Sequence, residues 1–194
     1  MVMSLVFICM GMSAALGYVY LLTKGPIENA AKNKEIAAIT EVLSDAQGQP
    51  MFNNDPTTLS KEIDGLVFYE ARMNDKTIGY AIRTFTNKGF SGRFVLMAGL
   101  LPDGTINKIS VLEQKETPGL GDKMKTAWKN QFNGRNPETF KLAVKKDGGN
   151  VDAITASTIT SRAFCDAVEK AYVALKKQMT QQTDSSAVNA QPGN

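Results

Sequence analysis

Hydroxyl side chains are concentrated in one short stretch near the C-terminal end of the chain, residues 151–161. Its apolar start predicts a strand over residues 151–154, and a turn of small and hydroxyl residues then leads into an amphipathic helix that begins near Ser161. Helix N-termini expose unpaired backbone N–H groups and favour negative charge, so the turn could hold a phosphate. Short motifs often arise by chance, however, and spacing alone favours an ordinary Ser or Thr helix cap after a strand.

Two other turns have residue types that suit contact with a ligand. In residues 113–123, Pro fixes φ and Gly permits a positive φ at Thr117-Pro118-Gly119, which predicts a tight connector between a strand and a helix. Further upstream, Gly89 and Gly92 flank a two-residue turn and would permit close backbone approach. Plain connections between elements explain both turns equally well.

The hydroxyl-rich stretch resembles the flavinylation motif of the FMN-binding domain family, Asp-x-x-(Ser/Thr)-Gly-Ala-(Thr/Ser), which is usually followed by x-Thr-Ser. This family includes the G subunit of Rnf electron-transport complexes and the C subunit of sodium-pumping NADH:quinone oxidoreductases. The positions that match the motif are Asp152, Thr155, Thr158, Thr160 and Ser161. The sequence departs from it at Ala156, where Gly is usual, and at Ser157, where Ala is usual, and Ser157 adds a rival hydroxyl.

The resemblance implies a covalent cofactor. FMN would be joined to Thr158 through a phosphoester bond, made by a separate flavin transferase, while Thr155, Thr160 and helix N–H groups hold the phosphate. The second turn carries another motif of the same family without departures, Glu-Thr-Pro-Gly-Leu-Gly, whose loop would lie against the flavin. The residues implied there are Glu116, Thr117, Gly119 and Leu120 as contacts to the isoalloxazine ring or ribityl chain, Pro118 as the residue that shapes the loop, and Gly89 and Gly92 as further lining.

The function implied is a membrane-anchored electron relay in an ion-translocating, Rnf-type ferredoxin:NAD+ oxidoreductase complex. NAD and ferredoxin would bind other subunits, and no acid–base catalytic residue is expected in this chain. Three alternatives stay open. The chain could be the C subunit of a sodium-pumping quinone reductase, a stand-alone extracytoplasmic flavoprotein, or a non-redox single-span assembly subunit that has lost flavinylation.

Composition narrows the chemistry available to the side chains. The chain is 43% hydrophobic and 21% charged, which are globular values, and its net charge of +3 is not gathered into a basic and aromatic surface for nucleic acid. It has no His, which removes His-ligated metal sites and a Ser-His-Asp triad. Cys9 and Cys165 are too few for a four-thiolate cluster, and each is expected to be a small packed side chain without a disulfide. Redox chemistry would therefore need an organic cofactor.

The N-terminus predicts a membrane anchor. Residues 2–22 are almost uninterrupted apolar sequence, long enough for a helix that crosses a bilayer, and they lack the basic start of a cleaved signal peptide. Lys24, Lys32 and Lys34 follow this segment, so charge bias alone would place the domain in the cytoplasm. The resemblance instead implies the outer face of the cytoplasmic membrane. We adopt that orientation, because neighbouring helices in a complex also set topology.

The remaining pattern predicts an α+β fold, with the anchor followed by an antiparallel-sheet FMN-binding domain and flanking helices. Gly25-Pro26 is expected to end the first helix, with a second over residues 27–43. Strands are predicted at 66–71, 78–84, 94–100, 106–112, 140–144 and 151–154, and helices at 123–132 and 161–178. The expected divisions are an anchor over 1–24, a helical linker over 25–60, the FMN-binding domain over 61–178 and a disordered tail over 179–194.

Overall fold

A computed structural model of the chain describes residues 2–74 and 76–188. The chain divides into two units, Met1–Ala37 and Ala38–Asn194. The first unit is helical throughout its described part, and the second contains a β-sheet with helical segments on both of its faces. The predicted α+β class and antiparallel sheet are confirmed.

Helix α1 covers Val2–Val42 and begins in the first unit. Its apolar window has a mean hydropathy of 2.0, and none of that window is buried against protein, so by length and composition it could cross a membrane. The predicted break at Gly25-Pro26 is wrong, because Pro26 lies inside the helix. Proline normally disfavours helical backbone at the preceding residue through a clash with that residue's Cβ, and Gly25 has no Cβ.

The sheet has five strands in sequence order, each antiparallel to the next. The strands are β1 (Ser60–Ile63), β2 (Leu66–Met73), β3 (Lys76–Gly89), β4 (Gly92–Leu100) and β5 (Ile106–Glu113). Strands β2 to β5 were predicted, because their apolar residues alternate or form short runs between turns. Strand β1 was missed, since it is short, polar and largely exposed at the edge of the sheet.

Helix α2 (Thr158–Val188) covers one face of the sheet. Its predicted inward residues, Phe164, Ala167, Val168, Ala171 and Leu175, are all buried in the larger core. The hydroxyl of Thr84 on β3 donates to the carbonyl of Ala167 at 2.8 Å within this buried contact. The apolar contact and this hydrogen bond fix the position of α2 along β3.

The end of α1 covers the opposite face. Ala38, Ile39, Val42 and Leu43 are buried against apolar residues of β2, β3, β4 and β5. A Cβ built on Gly99 would lie 2.2 Å from the Val42 carbonyl oxygen, so only glycine permits this approach of helix and strand. The sheet is therefore held between two helical layers.

Two predicted strands and one predicted helix take other forms. Residues 140–144 and 151–154 form no ladder, and they meet only at the isolated bridge between Val144 and Val151. Leu142, Val144, Val151 and Ile154 are buried in the core although they lie in loops. The chain between the two stretches forms a 3₁₀ turn that ends at the left-handed Gly148. The predicted helix over 123–132 is two 3₁₀ helices, Gly121–Lys125 and Ala127–Phe132, separated at Thr126, whose backbone is extended.

The ends of α2 also differ from the prediction. The helix begins at Thr158, three residues before Ser161, and it continues to Val188 instead of ending near Gln178. Met179 is half-buried against the core and extends the apolar face by another turn. Residues 179–188 of the predicted disordered tail are therefore helical, and residues 189–194 lie outside the described part of the chain.

The two cysteines are free thiols, as predicted. Cys165 is only 3% exposed, and burial raises the pKa of its thiol to about 12. The thiolate is the reactive form of cysteine, so this side chain is inert near neutral pH.

Asp166 on α2 gives the domain a pH-dependent contact. Burial alone would raise the pKa of its carboxyl, but hydrogen bonds from Lys170, Lys88 and Thr86 lower it below its ordinary value. A carboxyl with a lowered folded-state pKa contributes stability that is present above its unfolded pKa and is lost as pH falls through the folded pKa. We therefore expect the wild-type chain to exceed Asp166→Asn in free energy of unfolding by a constant margin from about pH 7 to about pH 5. The margin should shrink below about pH 4, as measured by denaturant unfolding of the full chain in detergent. A margin that grew on acidification would contradict this assignment.

Candidate functional site

Three segments meet around a pocket of about 330 Å³ at the N-terminus of α2. They are the turn between β3 and β4, the loop that follows β5, and the hydroxyl-rich turn into α2. The lining residues are Phe90, Glu116, Thr117, Leu120, Gly121, Ala156, Ser157, Thr158 and Ile159. The three stretches singled out in the sequence therefore come together in one place.

The five hydroxyl groups near the start of α2 have different surroundings. Ser157, Thr160 and Ser161 are buried, and each donates a hydrogen bond within the protein. Thr155 is exposed and does not line the pocket. Thr158 is half-buried and lines the pocket, and its hydroxyl makes no hydrogen bond to any residue in the described part of the chain. Thr158 is thus the one hydroxyl of the five that is both free and in the pocket.

Glu116 connects all three segments through its side chain. It is 5% exposed, and its Oε1 accepts from the backbone N–H of Ser91 at 3.0 Å. Its Oε2 accepts from the hydroxyl of Thr160 at 2.6 Å, and the Ser157 hydroxyl donates to Thr160 Oγ1 at 2.8 Å. A carboxylate accepts hydrogen bonds only, so Thr160 must donate to it and Ser157 must donate to Thr160. The three side chains form a relay with a fixed direction.

Two glycines make room for the Glu116 carboxylate. A Cβ built on Gly89 would lie 2.7 Å from Glu116 Oε1, and one built on Gly121 would lie 2.6 Å from Oε2. A Cβ on Gly121 would also crowd the Thr160 hydroxyl, at 2.9 Å. Gly89 and Gly92 pair across the turn between β3 and β4, so Gly89 shapes the site from behind the pocket wall instead of lining it.

The backbone at Ala156 explains why the family motif usually has glycine there. Ala156 has φ of +62°, in the left-handed region that glycine occupies without strain. Ser161 closes this turn, because its hydroxyl accepts from the Ile154 N–H at 2.9 Å and donates to the Ser157 carbonyl at 3.0 Å. The turn keeps its shape with alanine in this position.

The start of α2 presents free donors to the pocket. The first backbone bond of the helix runs from the Ser161 N–H to the Ser157 carbonyl. The N–H groups of Thr158, Ile159 and Thr160 therefore have no acceptor within the helix. Such groups, together with the helix dipole, favour a phosphate.

The mouth of the pocket is apolar. Phe90, Leu120 and Ile159 are 67%, 40% and 49% exposed, one from each of the three segments. Large exposed apolar side chains that converge on a cavity are typical of a site for a flat, partly apolar ligand. Phe90, Gly121 and Ile159 were missed as lining residues, although each lies inside or beside a stretch that the sequence singled out.

Other predicted site residues lie outside the pocket lining. The Asp152 carboxylate pairs with Lys145 at 2.7 Å, while the Asp152 backbone carbonyl accepts from Trp128 Nε1 at 2.7 Å. Pro118 and Gly119 are exposed, and Gly119 has the positive φ expected of this turn. Trp128 itself packs against Phe132 and Phe164 in the core.

These features suit the parts of FMN in turn. A free hydroxyl and unpaired helix N–H groups could hold the phosphate end, and apolar side chains at the mouth could contact a flat ring system. The residues present therefore fit a flavin mononucleotide.

Comparison with known proteins gives the same cofactor. The FMN-binding domain family matches residues 89–173. The G subunit of the ion-translocating oxidoreductase complex of Pasteurella multocida is 35% identical over 187 residues, covering 90% of each chain. The G subunit of the Na(+)-translocating ferredoxin:NAD(+) oxidoreductase complex of Acetobacterium woodii is 32% identical over 169 residues, covering 80% of this chain and 81% of that protein.

A solved structure shares the fold. The C subunit of the Na(+)-translocating NADH-quinone reductase of Parabacteroides distasonis superposes with a TM-score of 0.54 and 18% identity, over 79% of this chain and 96% of that one. Its likeness supports the architecture of the domain, whereas the sequence relatives carry the family. The sequence relatives and the apolar helix α1 together show a membrane-anchored protein, and the family match shows FMN as its cofactor. The chain belongs to the family of G subunits of ion-translocating oxidoreductase complexes.

Proposed function

We propose that this chain is the electron-relay subunit of an ion-translocating ferredoxin:NAD+ oxidoreductase complex, and that it carries FMN covalently on Thr158. The observation that supports Thr158 as the attachment site is its free hydroxyl in the pocket. The neighbouring hydroxyls either donate hydrogen bonds within the protein or lie outside the pocket. The relative from Acetobacterium woodii, part of a complex with ferredoxin:NAD(+) oxidoreductase activity by name, supports the role.

The residues of this chain would bind and orient the cofactor. The unpaired N–H groups at the start of α2 would hold the phosphate next to Thr158. Phe90, Leu120 and Ile159 would cover the ring system and exclude water from it. Bound FMN supplies one- and two-electron redox chemistry.

The proposed partners follow from this role. Other membrane subunits of the complex would contact the anchor and bind ferredoxin and NAD+, and a flavin transferase would load FMN onto this chain. We place the domain on the extracytoplasmic side of the cytoplasmic membrane. Covalent attachment supports that side, because a cofactor lost there could not be replaced from the cytoplasm.

Removal of the attachment hydroxyl tests the carrier function directly. The full chain, produced with its flavin transferase and then denatured, should show an added mass of FMN less one water. Thr158→Ala should show none, because no other hydroxyl of the turn is both free and in the pocket. Thr155→Ala, a matched loss of an exposed hydroxyl in the same turn, should keep the added mass. A wild-type chain without added mass would refute covalent attachment, and an added mass that survives Thr158→Ala would move the site.

The left-handed residue of the turn predicts a gain in stability. Left-handed backbone costs alanine about 1–2 kcal/mol, and the greater freedom of unfolded glycine offsets about 0.5–1 kcal/mol of that. Ala156→Gly should therefore raise the free energy of unfolding by about 0.5–1 kcal/mol in chain made without transferase. Ala153→Gly, the same change at a residue without positive φ, should lower it. Equal signs for the two variants in denaturant unfolding would contradict the strain at Ala156.

Cysteine labelling would establish the side of the membrane. The native thiols give little background, since Cys9 lies in the apolar helix and Cys165 is buried. Ala46→Cys adds a thiol in an exposed turn outside the pocket. In spheroplasts, a membrane-impermeant maleimide should label this variant but not the wild-type chain. Labelling that requires membrane permeabilisation would place the domain in the cytoplasm.

A further inference from the structure

We propose that Glu116 determines which hydroxyl of the α2 N-terminus receives FMN. It acts as a positioning residue that engages the protons of Thr160 and Ser157 and leaves Thr158 as the acceptor. This inference rests on the proposed attachment of FMN to Thr158, and it assigns Glu116 a part other than contact with the flavin.

The hydroxyls next to Thr158 are potential competitors. Ser157 precedes it directly and lines the same pocket, and Thr160 is two residues further along the helix. Both are hydroxyl nucleophiles of the same chemical kind, so residue type does not separate them from Thr158. Their surroundings must supply the difference.

The relay supplies that difference through its direction. Glu116 Oε2 accepts the Thr160 proton at 2.6 Å, and Thr160 Oγ1 then accepts the Ser157 proton at 2.8 Å. Each competing hydroxyl would have to break a buried hydrogen bond before it could turn toward a donor in the pocket. Hydrogen bonds to a charged group are stronger than those between neutral groups, so the carboxylate anchors the whole chain of donors. Thr158 faces no such cost.

The reaction to be directed is a phosphoryl transfer without any change in oxidation state. A bond forms between the Thr158 oxygen and the FMN phosphorus, and the pyrophosphate bond of a flavin dinucleotide donor breaks. The nucleoside monophosphate leaves, and the hydroxyl proton passes to a base of the transferase or to solvent. A hydroxyl held in a buried hydrogen bond is oriented by that bond, so its oxygen can turn toward the donor phosphorus only when the bond is broken.

An isosteric change of Glu116 should reverse the relay. In Glu116→Gln the backbone N–H of Ser91 still needs an acceptor, so the amide oxygen remains on that side. The amide NH₂ then faces Thr160 and donates to it. Thr160 can now donate to Ser157, and the Ser157 proton is released from the relay. Glu116→Gln thus converts Ser157 from an engaged hydroxyl into a free one, with little change in volume.

The experiment measures where FMN is attached. The full chain in detergent is incubated with the transferase and a flavin dinucleotide, and the modified residue is identified by peptide mass spectrometry. Thr158→Ala alone should carry essentially no FMN. The double variant Thr158→Ala with Glu116→Gln should carry FMN on Ser157 at a level at least about tenfold above that of Thr158→Ala alone. A change of about tenfold is the effect on an equilibrium of losing about one hydrogen bond.

A second double variant breaks the relay at another point. Thr160→Val keeps the volume of the buried side chain but removes the acceptor of the Ser157 proton. Combined with Thr158→Ala, it should also move FMN to Ser157. The matched control combines Thr158→Ala with Glu113→Gln, because Glu113 is an exposed carboxylate at the end of β5, three residues before Glu116, and takes no part in the relay. This control should stay unmodified.

The outcomes separate the two proposals. FMN on Ser157 in the relay variants but not in the control supports the inference, since a merely structural role for Glu116 would not create a new attachment site. Folded relay variants without FMN on Ser157, judged by thermal unfolding, overturn it, as does FMN on Ser157 in Thr158→Ala alone or in the control. A wild-type chain that takes up no FMN refutes the proposed function itself.

Discussion

The buried carboxylate of Glu116 is the constraint on which the site depends. A charged group out of contact with water is costly unless protein donors satisfy it. Here the donors come from the turn between β3 and β4, through Ser91 N–H, and from α2, through Thr160. The loop after β5, which carries Glu116 itself, is thereby fixed to both. Gly89 and Gly121 are required because any larger residue would enter the space of this carboxylate.

The position of α2 decides which hydroxyl faces the pocket. At the start of α2, Ser157, Thr160 and Ser161 are buried and donate hydrogen bonds within the protein, whereas Thr158 is half-buried in the wall of the pocket. The apolar face further along α2 fixes the rotation of the helix, and the bond from Thr84 to the Ala167 carbonyl fixes the height of the helix on the sheet. The large core thus determines the orientation of one small hydroxyl at its edge.

The strands could be predicted from the sequence where burial against a sheet neighbour or helix imposes a regular pattern of apolar residues. The prediction failed where apolar residues are buried without forming a regular element. Strands β2 to β5 alternate or run apolar because one or both of their faces are covered, and that pattern could be read directly. Phe140, Leu142 and Val144 alternate for the same reason, but they pack into the core from a loop, so the pattern suggested a strand that does not form. Pro26 suggested a helix end, whereas α1 continues through it, and the glycine before it lacks the Cβ that would add to the clash with the proline ring. The contact between Glu116 and Thr160 joins residues 44 apart, and no local pattern encodes it.

The two departures from the family motif have different physical consequences. Ala156 keeps the left-handed turn that glycine would adopt freely, at a modest cost in backbone strain. Ser157 places a hydroxyl where alanine has none, directly beside the proposed attachment residue. With alanine there, Thr160 could donate to Glu116 and no second proton would need an acceptor. With serine there, the Ser157 hydroxyl donates to Thr160, which still donates to Glu116, and the added hydroxyl is buried with its hydrogen bond made. The departure at Ser157 is therefore tolerated because an acceptor for its proton is already present in the fold.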